Sequence, residues 1–408
     1  MTKRALLIGC NYAGTEAQLF GCVNDVAVMK SLLMEVFGFK DENCEVLVDT
    51  EECKVQPTGA NIKEKLTDLV AVSEPGDVLF VHFSGHGVQI PSADSSDEVD
   101  NLDEAIVPSD LNLLVDDDLR AIAKSLKEGV VFTLVSDCCH SGGLLDHKKV
   151  HISGSSRAAP PILDVESFMN YLGLKRSFKI TDPDKLGPKK IKNRSLPKEV
   201  LLRSLGEKKG EAVSEDSIRQ SLTSIFGTQA SLKFQQFLTQ APQIESVVAQ
   251  IQEDTKKHGC WTAFLAAFGI GAVQKKPAAA AAAAPPPANV EAESKPVKPT
   301  VEPLSDDVGV LITGCQSNEK SADANISGKK KKAFGAMTNA LVTVIKSHNK
   351  ENPGVPISNR DLVHSVREML GKAGFQQNPC LEGSAKNADA GFVTGEKITP
   401  PAAEASGE

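Results

Sequence analysis

Two short stretches carry side chains able to do covalent chemistry together. Residues 130–143, VVFTLVSDCCHSGG, deliver Asp137, Cys138, Cys139 and His140 from an apolar run onto a glycine-rich turn. Residues 77–87, DVLFVHFSGHG, repeat the design and end in Ser84, Gly85, His86 and Gly87. A thiol attacks only as thiolate, and a neighbouring imidazole or a helix N-terminus lowers its pKa. Cys139 and His86, each just past an apolar strand, therefore suggest a nucleophile and its base. Backbone N–H groups of such a turn can also hold an oxyanion. Cys10, Cys44 and Cys315 read as inert core thiols, and His82, four residues before His86, as a packing residue. His140 adjoins Cys139, so its side chain points elsewhere.

Those strand ends need a sheet to carry them. Residues 4–10 read as a first buried strand, and a helix over 22–37 follows with Val26, Met29, Leu32, Leu33 and Val36 in helical spacing. A strand at 44–48 precedes a helix to about Val72, for which Asn61 is the expected cap. Next come strand 77–83, an acidic loop at 91–103, a strand at 104–107, a helix near 117–127 and strand 130–136. Strands alternating with amphipathic helices predict an α/β fold with a parallel or mostly parallel sheet and helices on both faces.

After about residue 148 the texture changes. Residues 148–210 are rich in Lys, Arg, Ser, Gly and Pro and read as an exposed connector. Some helical pattern (Ile218, Leu222, Ile225, Phe226) lies within 214–254. Residues 276–303 are an Ala/Pro-rich spacer. Order is expected to resume with strand 308–313, a helix at 335–347 and another at 359–371 capped by Ser358. The resulting division is a large catalytic piece (1–148), an insertion (149–304), a small piece completing the sheet (305–395) and a flexible tail (396–408).

Composition narrows the function classes. The chain has 408 residues and a formal net charge of −8, which does not suit nucleic-acid binding. Its nine cysteines are scattered without C-x-x-C pairs, so neither a zinc ribbon nor a disulfide framework is indicated. The apolar run in MTKRALLIGC is too short for a signal peptide, and Trp261 to Val273 is too short for a membrane span. Free thiols then point to a reducing, cytoplasmic compartment and to no membrane partner.

The FSGHG and SDCCHSGG stretches resemble those of the metacaspases, a branch of the caspase-like cysteine peptidases. The resemblance also takes in G-C-x-N-D at 21–25, PTGANI at 57–62, DEAIVP at 103–108, GCQSNEKSADA at 314–324 and AFGAMTNA at 333–340. The His86-to-Cys139 separation is also near the roughly 50 residues of caspase-type enzymes. A long insertion with no N-terminal Pro-rich segment is similar to the type II (plant-like) group. The resemblance implies a caspase-like fold with a six-stranded, mostly parallel sheet and an endopeptidase cutting after Arg or Lys. It also implies a monomer. Cys139 takes the nucleophile position, His86 the base, and Gly87 and Cys139 the oxyanion hole; Cys138 stands where the family has serine.

By the same resemblance Cys22, Asp25, Ser84 and Asp137 line the first specificity pocket. Chemically, a carboxylate pair there would bind a guanidinium bidentately. Within the connector, Asn193-Arg194-Ser195-Leu196-Pro197 stands like the family's self-cleavage stretch, which makes the chain's own linker a substrate in cis at Arg194. Arg157 and Arg203 are weaker sites. The family's calcium positions fall on Asp103, Asp116, Asp117 and Asp146, all aspartate here, and hard oxygen ligands from several loops suit Ca²⁺. Besides this linker, the expected partners are proteins with exposed Arg or Lys. Two rivals remain: a zinc module using His82, His86, Cys138, Cys139 and His140, and a calcium-responsive scaffold without catalysis.

Overall fold

Branched apolar runs with little alternation are what strands buried on both faces require, and the computed structural model builds its central sheet from them. It describes residues 1–92, 102–139, 150–152, 191–239, 309–316, 319–325 and 332–396, all within one unit. The sheet consists of β1 (Lys3–Gly9), β2 (Cys44–Val48), β3 (Val78–Ser84), β7 (Val131–Asp137), β8 (Val150–Ile152), β10 (Val310–Thr313) and β13 (Cys380–Gly383). Their order is β2-β1-β3-β7-β10-β13-β8. The first five are parallel, while β13 and β8 are antiparallel to their inner neighbours. The fold is thus the expected caspase-like α/β architecture, with six strands and a three-residue strand added at one edge.

Helix α1 (Cys22–Glu35) covers one face together with α7 (Ala336–Glu351) and α8 (Asn359–Lys372). Met29, Leu32, Leu33, Leu341, Leu362 and Leu370 pack there against Leu7, Phe80 and Ile312 of the sheet. Each such side chain taken out of water contributes about 1.5–3 kcal/mol. Leu6 and Ile8, alternating with Ala5 and Leu7, are buried as well, so both faces of β1 are covered. Helix α2 (Gly59–Ala71) contacts β1 too. Its cap is Thr58 and not Asn61: Thr58 is extended and its side chain accepts the Asn61 N–H. Ser358 caps α8 in the same manner through Asp361 N–H.

Past β3 the chain does not turn away. It continues as β4 (His86–Pro91), which pairs antiparallel with β5 (Leu102–Val107), itself paired with β6 (Leu114–Val115). β6 runs straight into α3 (Asp116–Ala123), so the three acids at 116–118 lie in the first helical turn. A third small sheet joins β9 (Ile191–Asn193), β11 (Ala322–Ala324) and β12 (Phe334–Gly335).

The connector corrects an expectation. Residues 148–210 read as exposed, yet within them α4 (Lys198–Lys209) forms and Arg194, Leu196, Leu201 and Leu205 are buried. The helical pattern expected within 214–254 appears as α5 (Ile218–Phe226) and α6 (Leu232–Thr239), with Leu222 buried. Leu201, Leu205 and Leu222 are buried on their helices, while Arg203 and Lys208 between them are exposed, so averaged composition hid the core positions. Arg157, the Ala/Pro spacer and the tail beyond Glu396 lie outside the described residues. Among the described residues no helix is long and apolar enough to cross a membrane.

Candidate active site

Register brings the site together. Parallel pairing of β3 with β7 sets Ser84 opposite Asp137, so His86 and Cys139 each follow two residues beyond a shared sheet edge. This is the carboxyl edge, where open α/β sheets place their ligands. Gly87 presses on the turn after β7: a Cβ there would lie 1.7 Å from the Cys139 carbonyl oxygen. Only glycine lets the two strand ends approach so closely.

His86 is buried, and burial lowers its pKa to about 4, so the ring is neutral at ordinary pH. Its Nε2 sits 2.7 Å from the Ala17 carbonyl oxygen. A carbonyl only accepts, so Nε2 carries the hydrogen and Nδ1 keeps the basic lone pair. Nδ1 has no hydrogen-bond partner. Tyr12 steadies the residue from the other side, its ring 4.9 Å away and its hydroxyl accepting the His86 N–H at 2.9 Å. The Ala17 carbonyl, which orients the His86 ring, was not legible in the sequence because a main-chain acceptor leaves no mark on residue type.

Cys139 is fully buried beneath the connector. Its Sγ accepts the Ser321 N–H at 2.9 Å and donates to Asn193 Oδ1 at 3.1 Å. Cys315 packs against it, and this contact together with burial keeps the Cys315 thiol protonated. Cys138 points inward, 3.2 Å from Ser136 Oγ. His140 lies outside the described residues.

The connector crosses this site in extended form. β9 pairs antiparallel with β11, Arg194 N–H donates to Ser321 O at 2.9 Å, and the Arg194 carbonyl accepts the Gly87 N–H at 2.9 Å. Leu196 N–H then donates to Gly87 O at 2.9 Å. Upstream, the Lys192 ammonium lies 4.7 Å over the Phe20 ring and donates to Gln18 O.

The Arg194 guanidinium has no exposed surface. Nη1 donates to Ser84 Oγ and to the Asp137 carbonyl, both at 2.8 Å. Nη2 donates to Asp25 Oδ2 at 2.7 Å and to Asp323 Oδ1 at 3.3 Å. Asp137 Oδ1 is 3.3 Å from Nη1. Cys22, also buried, meets Ser84 at the rim of this group. The expected pocket residues thus gather around one cation, but the carboxylates number three. Asp323 was missed, although it stands in the SADA stretch; nothing local marks it as the member that returns from the far side of the insertion. Phe20 and Gly21 N–H groups each donate to it at 2.8 Å. Asp137 is held by Ser321 Oγ and by the N–H and hydroxyl of Thr338. His82 reaches the same threonine at 3.2 Å, a supporting position.

Gly335 closes the pocket floor. A Cβ there would stand 2.4 Å from Asp137 Oδ2, 2.5 Å from Arg194 Nη1 and 2.6 Å from Asp25 Oδ2. Burial raises the Asp25 carboxyl to about 6; Arg194 opposes the rise and Asp137 adds to it. One guanidinium among three buried carboxylates leaves an excess of negative charge, so this cavity demands a cation.

A second acidic group lies beside β5 and α3. Lys233 Nζ bridges Asp103 Oδ1 at 2.9 Å and Asp117 Oδ2 at 2.6 Å. Arg219 approaches Asp103 at 3.6 Å, and Arg120 pairs with Asp116 and Asp117. Both oxygens of the buried Asp103 lack hydrogen bonds and are matched by these ion pairs. Among the described residues no three metal-ligating side chains are gathered around one empty point, and Asp146 lies outside them. His82 and His86 direct Nε2 to different partners, so the zinc arrangement does not form among the described residues.

Comparison with known proteins places this geometry. Residues 3–148 match the family model described as the metacaspase, peptidase C14 domain. Metacaspase-6 of Arabidopsis thaliana is 36% identical over 402 residues, covering 96% of this chain and all of that protein. Metacaspase-4 of the same plant is 35% identical over 440 residues with the same coverage. Metacaspase III c of Phaeodactylum tricornutum is 42% identical over 189 residues, 45% of this chain and 55% of that one.

Proposed function

We propose, on the premise that the chain belongs to the type II metacaspases and is a cysteine peptidase, that it cuts after Arg or Lys, processes itself after Arg194 and is activated by Ca²⁺. The observation that carries this reading is Arg194: its side chain fills a buried three-carboxylate pocket while its carbonyl sits on the Gly87 N–H beside Cys139. Such a pocket rejects acidic and neutral residues because they would leave buried carboxylates unpaired.

In this mechanism His86 Nδ1 takes the Cys139 proton and the thiolate attacks the carbonyl carbon of the basic residue. Gly87 N–H holds the oxyanion, with the Cys139 N–H expected as the second donor. Imidazolium then protonates the leaving amine, and water, activated by the same imidazole, hydrolyses the thioester. The Ala17 carbonyl keeps the ring in the tautomer this sequence needs.

Asp103, Asp116 and Asp117 suit a hard cation in donor type, and the Lys233 ammonium already bridges two of them. Bound there, calcium would supply the charge that Lys233 and Arg219 now supply, freeing the connector helices that carry them. Asp146 is the proposed fourth ligand. The proposed compartment is the cytoplasm, and the proposed state a monomer acting on protein substrates with exposed basic residues.

A denaturing gel of wild type and Cys139→Ala, with millimolar calcium or with chelator and with fragment ends read by mass spectrometry, tests this. Calcium-triggered cleavage after Arg194 in wild type alone is expected. If a basic peptide is cut while the chain stays whole, self-processing is wrong; if nothing is cut, a non-catalytic scaffold replaces the peptidase.

A further inference from the structure

One side chain of the connector engages two groups that must change during cleavage. Asn193 Oδ1 accepts the Cys139 thiol hydrogen at 3.1 Å and the Ser195 N–H at 2.9 Å. Ser195 N is the atom released by a cut after Arg194. The second contact, from an asparagine oxygen to the N–H two residues on, is an Asx turn and bends the chain across the scissile bond. The sulfur meanwhile accepts the Ser321 N–H, and His86 Nδ1 is without a hydrogen-bond partner. The thiol hydrogen thus has two acceptors, the Asn193 amide oxygen at 3.1 Å and, more distantly, the Ser321 carbonyl at 3.8 Å, and neither is a base near neutral pH.

We infer that Asn193 is a positioning residue that makes the connector a slow substrate, by holding the nucleophile's hydrogen and the leaving nitrogen on one oxygen. The inference deepens, and rests on, the reading that Cys139 cuts after Arg194. In the balanced reaction the hydrogen moves from Sγ to His86 Nδ1 as the Sγ–C bond forms. The same hydrogen then passes to Ser195 N as the C–N bond breaks. The thiol contact with Asn193 must be given up on the way, whereas Ser195 N is protonated on its lone pair and keeps its own hydrogen on Asn193 Oδ1. One neutral hydrogen bond lost before the transition state corresponds to a rate about twofold to tenfold lower. The same contact tightens ground-state binding by a like factor, beyond what Arg194 and the β9–β11 pairing supply. A substrate tightly held and slowly cut behaves as an inhibitor until it is cut or withdrawn.

The test uses the full-length, self-processed enzyme and peptides of residues 191–199, with Asn, Ala or Leu at the position of Asn193. Leucine keeps the bulk and removes the oxygen. Cleavage after arginine is followed by mass spectrometry. The Ala and Leu peptides are expected to show kcat and KM both raised about twofold to tenfold over the Asn peptide, with kcat/KM nearly unchanged. Full-length Asn193→Leu is expected to shorten the self-cleavage half-time by a similar factor at every calcium level. Equal kcat for the three peptides, or a KM change with kcat unchanged, overturns the inference and leaves the peptidase reading standing. If no peptide is cut, the peptidase reading fails first and takes this one with it.

Discussion

Replacing Arg194 by lysine separates recognition of a planar cation from recognition of charge. The guanidinium places donors on opposite sides: Nη1 serves Ser84 Oγ and the Asp137 carbonyl, Nη2 serves Asp25 and Asp323. One ammonium nitrogen cannot reach both groups, so two charge-assisted bonds are lost, each worth about 1.5–3 kcal/mol. If an ordered water recovers about half, a net loss of about 2 kcal/mol remains, or about thirtyfold in kcat/KM. The assay compares peptides of residues 191–199 carrying Arg or Lys before the cut, at equal calcium. A parallel assay times self-cleavage of the Arg194→Lys chain. Lysine is expected to be accepted but slower, with most of the loss in KM. Rates within twofold would refute the argument, since they would mean the pocket reads charge and ignores shape.

The other expectations concern the same two acidic groups. Gly335→Ala puts a methyl group 2.4–2.6 Å from atoms of Asp137, Arg194 and Asp25; it is expected to lower kcat/KM for arginine substrates at least about hundredfold, with circular dichroism confirming a retained fold. Asp25, already raised to about 6 with Arg194 beside it, must titrate higher when arginine leaves, because the guanidinium opposes the rise. Arginine therefore binds with proton release above about pH 6, so KM is expected to fall as pH rises through that window and to level off below it; a flat KM profile contradicts this. Lys233→Gln removes the ammonium between Asp103 and Asp117. In a Cys139→Ala background, calorimetry is expected to find calcium bound about fivefold more tightly, in line with a partly exposed ion pair of about 1 kcal/mol.

Much of this site was legible because it depends on local rules. An apolar run ending in Ser84-Gly85-His86-Gly87 and another ending in Asp137-Cys138-Cys139 can be placed at strand ends from periodicity alone, and side-chain chemistry then assigns nucleophile and base. Ser358 as a cap follows from residue type and position. The basic Arg194 stretch stood out through its resemblance to a family pattern, yet its composition argued for solvent. What could not be read were partners defined by register and by return of the chain. Asp323, Gly335 and Thr338 lie more than a hundred residues beyond Cys139, and the pairings of β10 with β7 and of β11 with β9 and β12 bring that part of the chain to the pocket. The Ala17 carbonyl and the Gly87 N–H are main-chain groups that every residue type supplies equally. Residue identity and local spacing determined which groups can react. Tertiary structure decided how many carboxylates surround Arg194 and which acceptors the Cys139 thiol reaches, because Coulomb and hydrogen-bond energies depend on distances that no local pattern encodes.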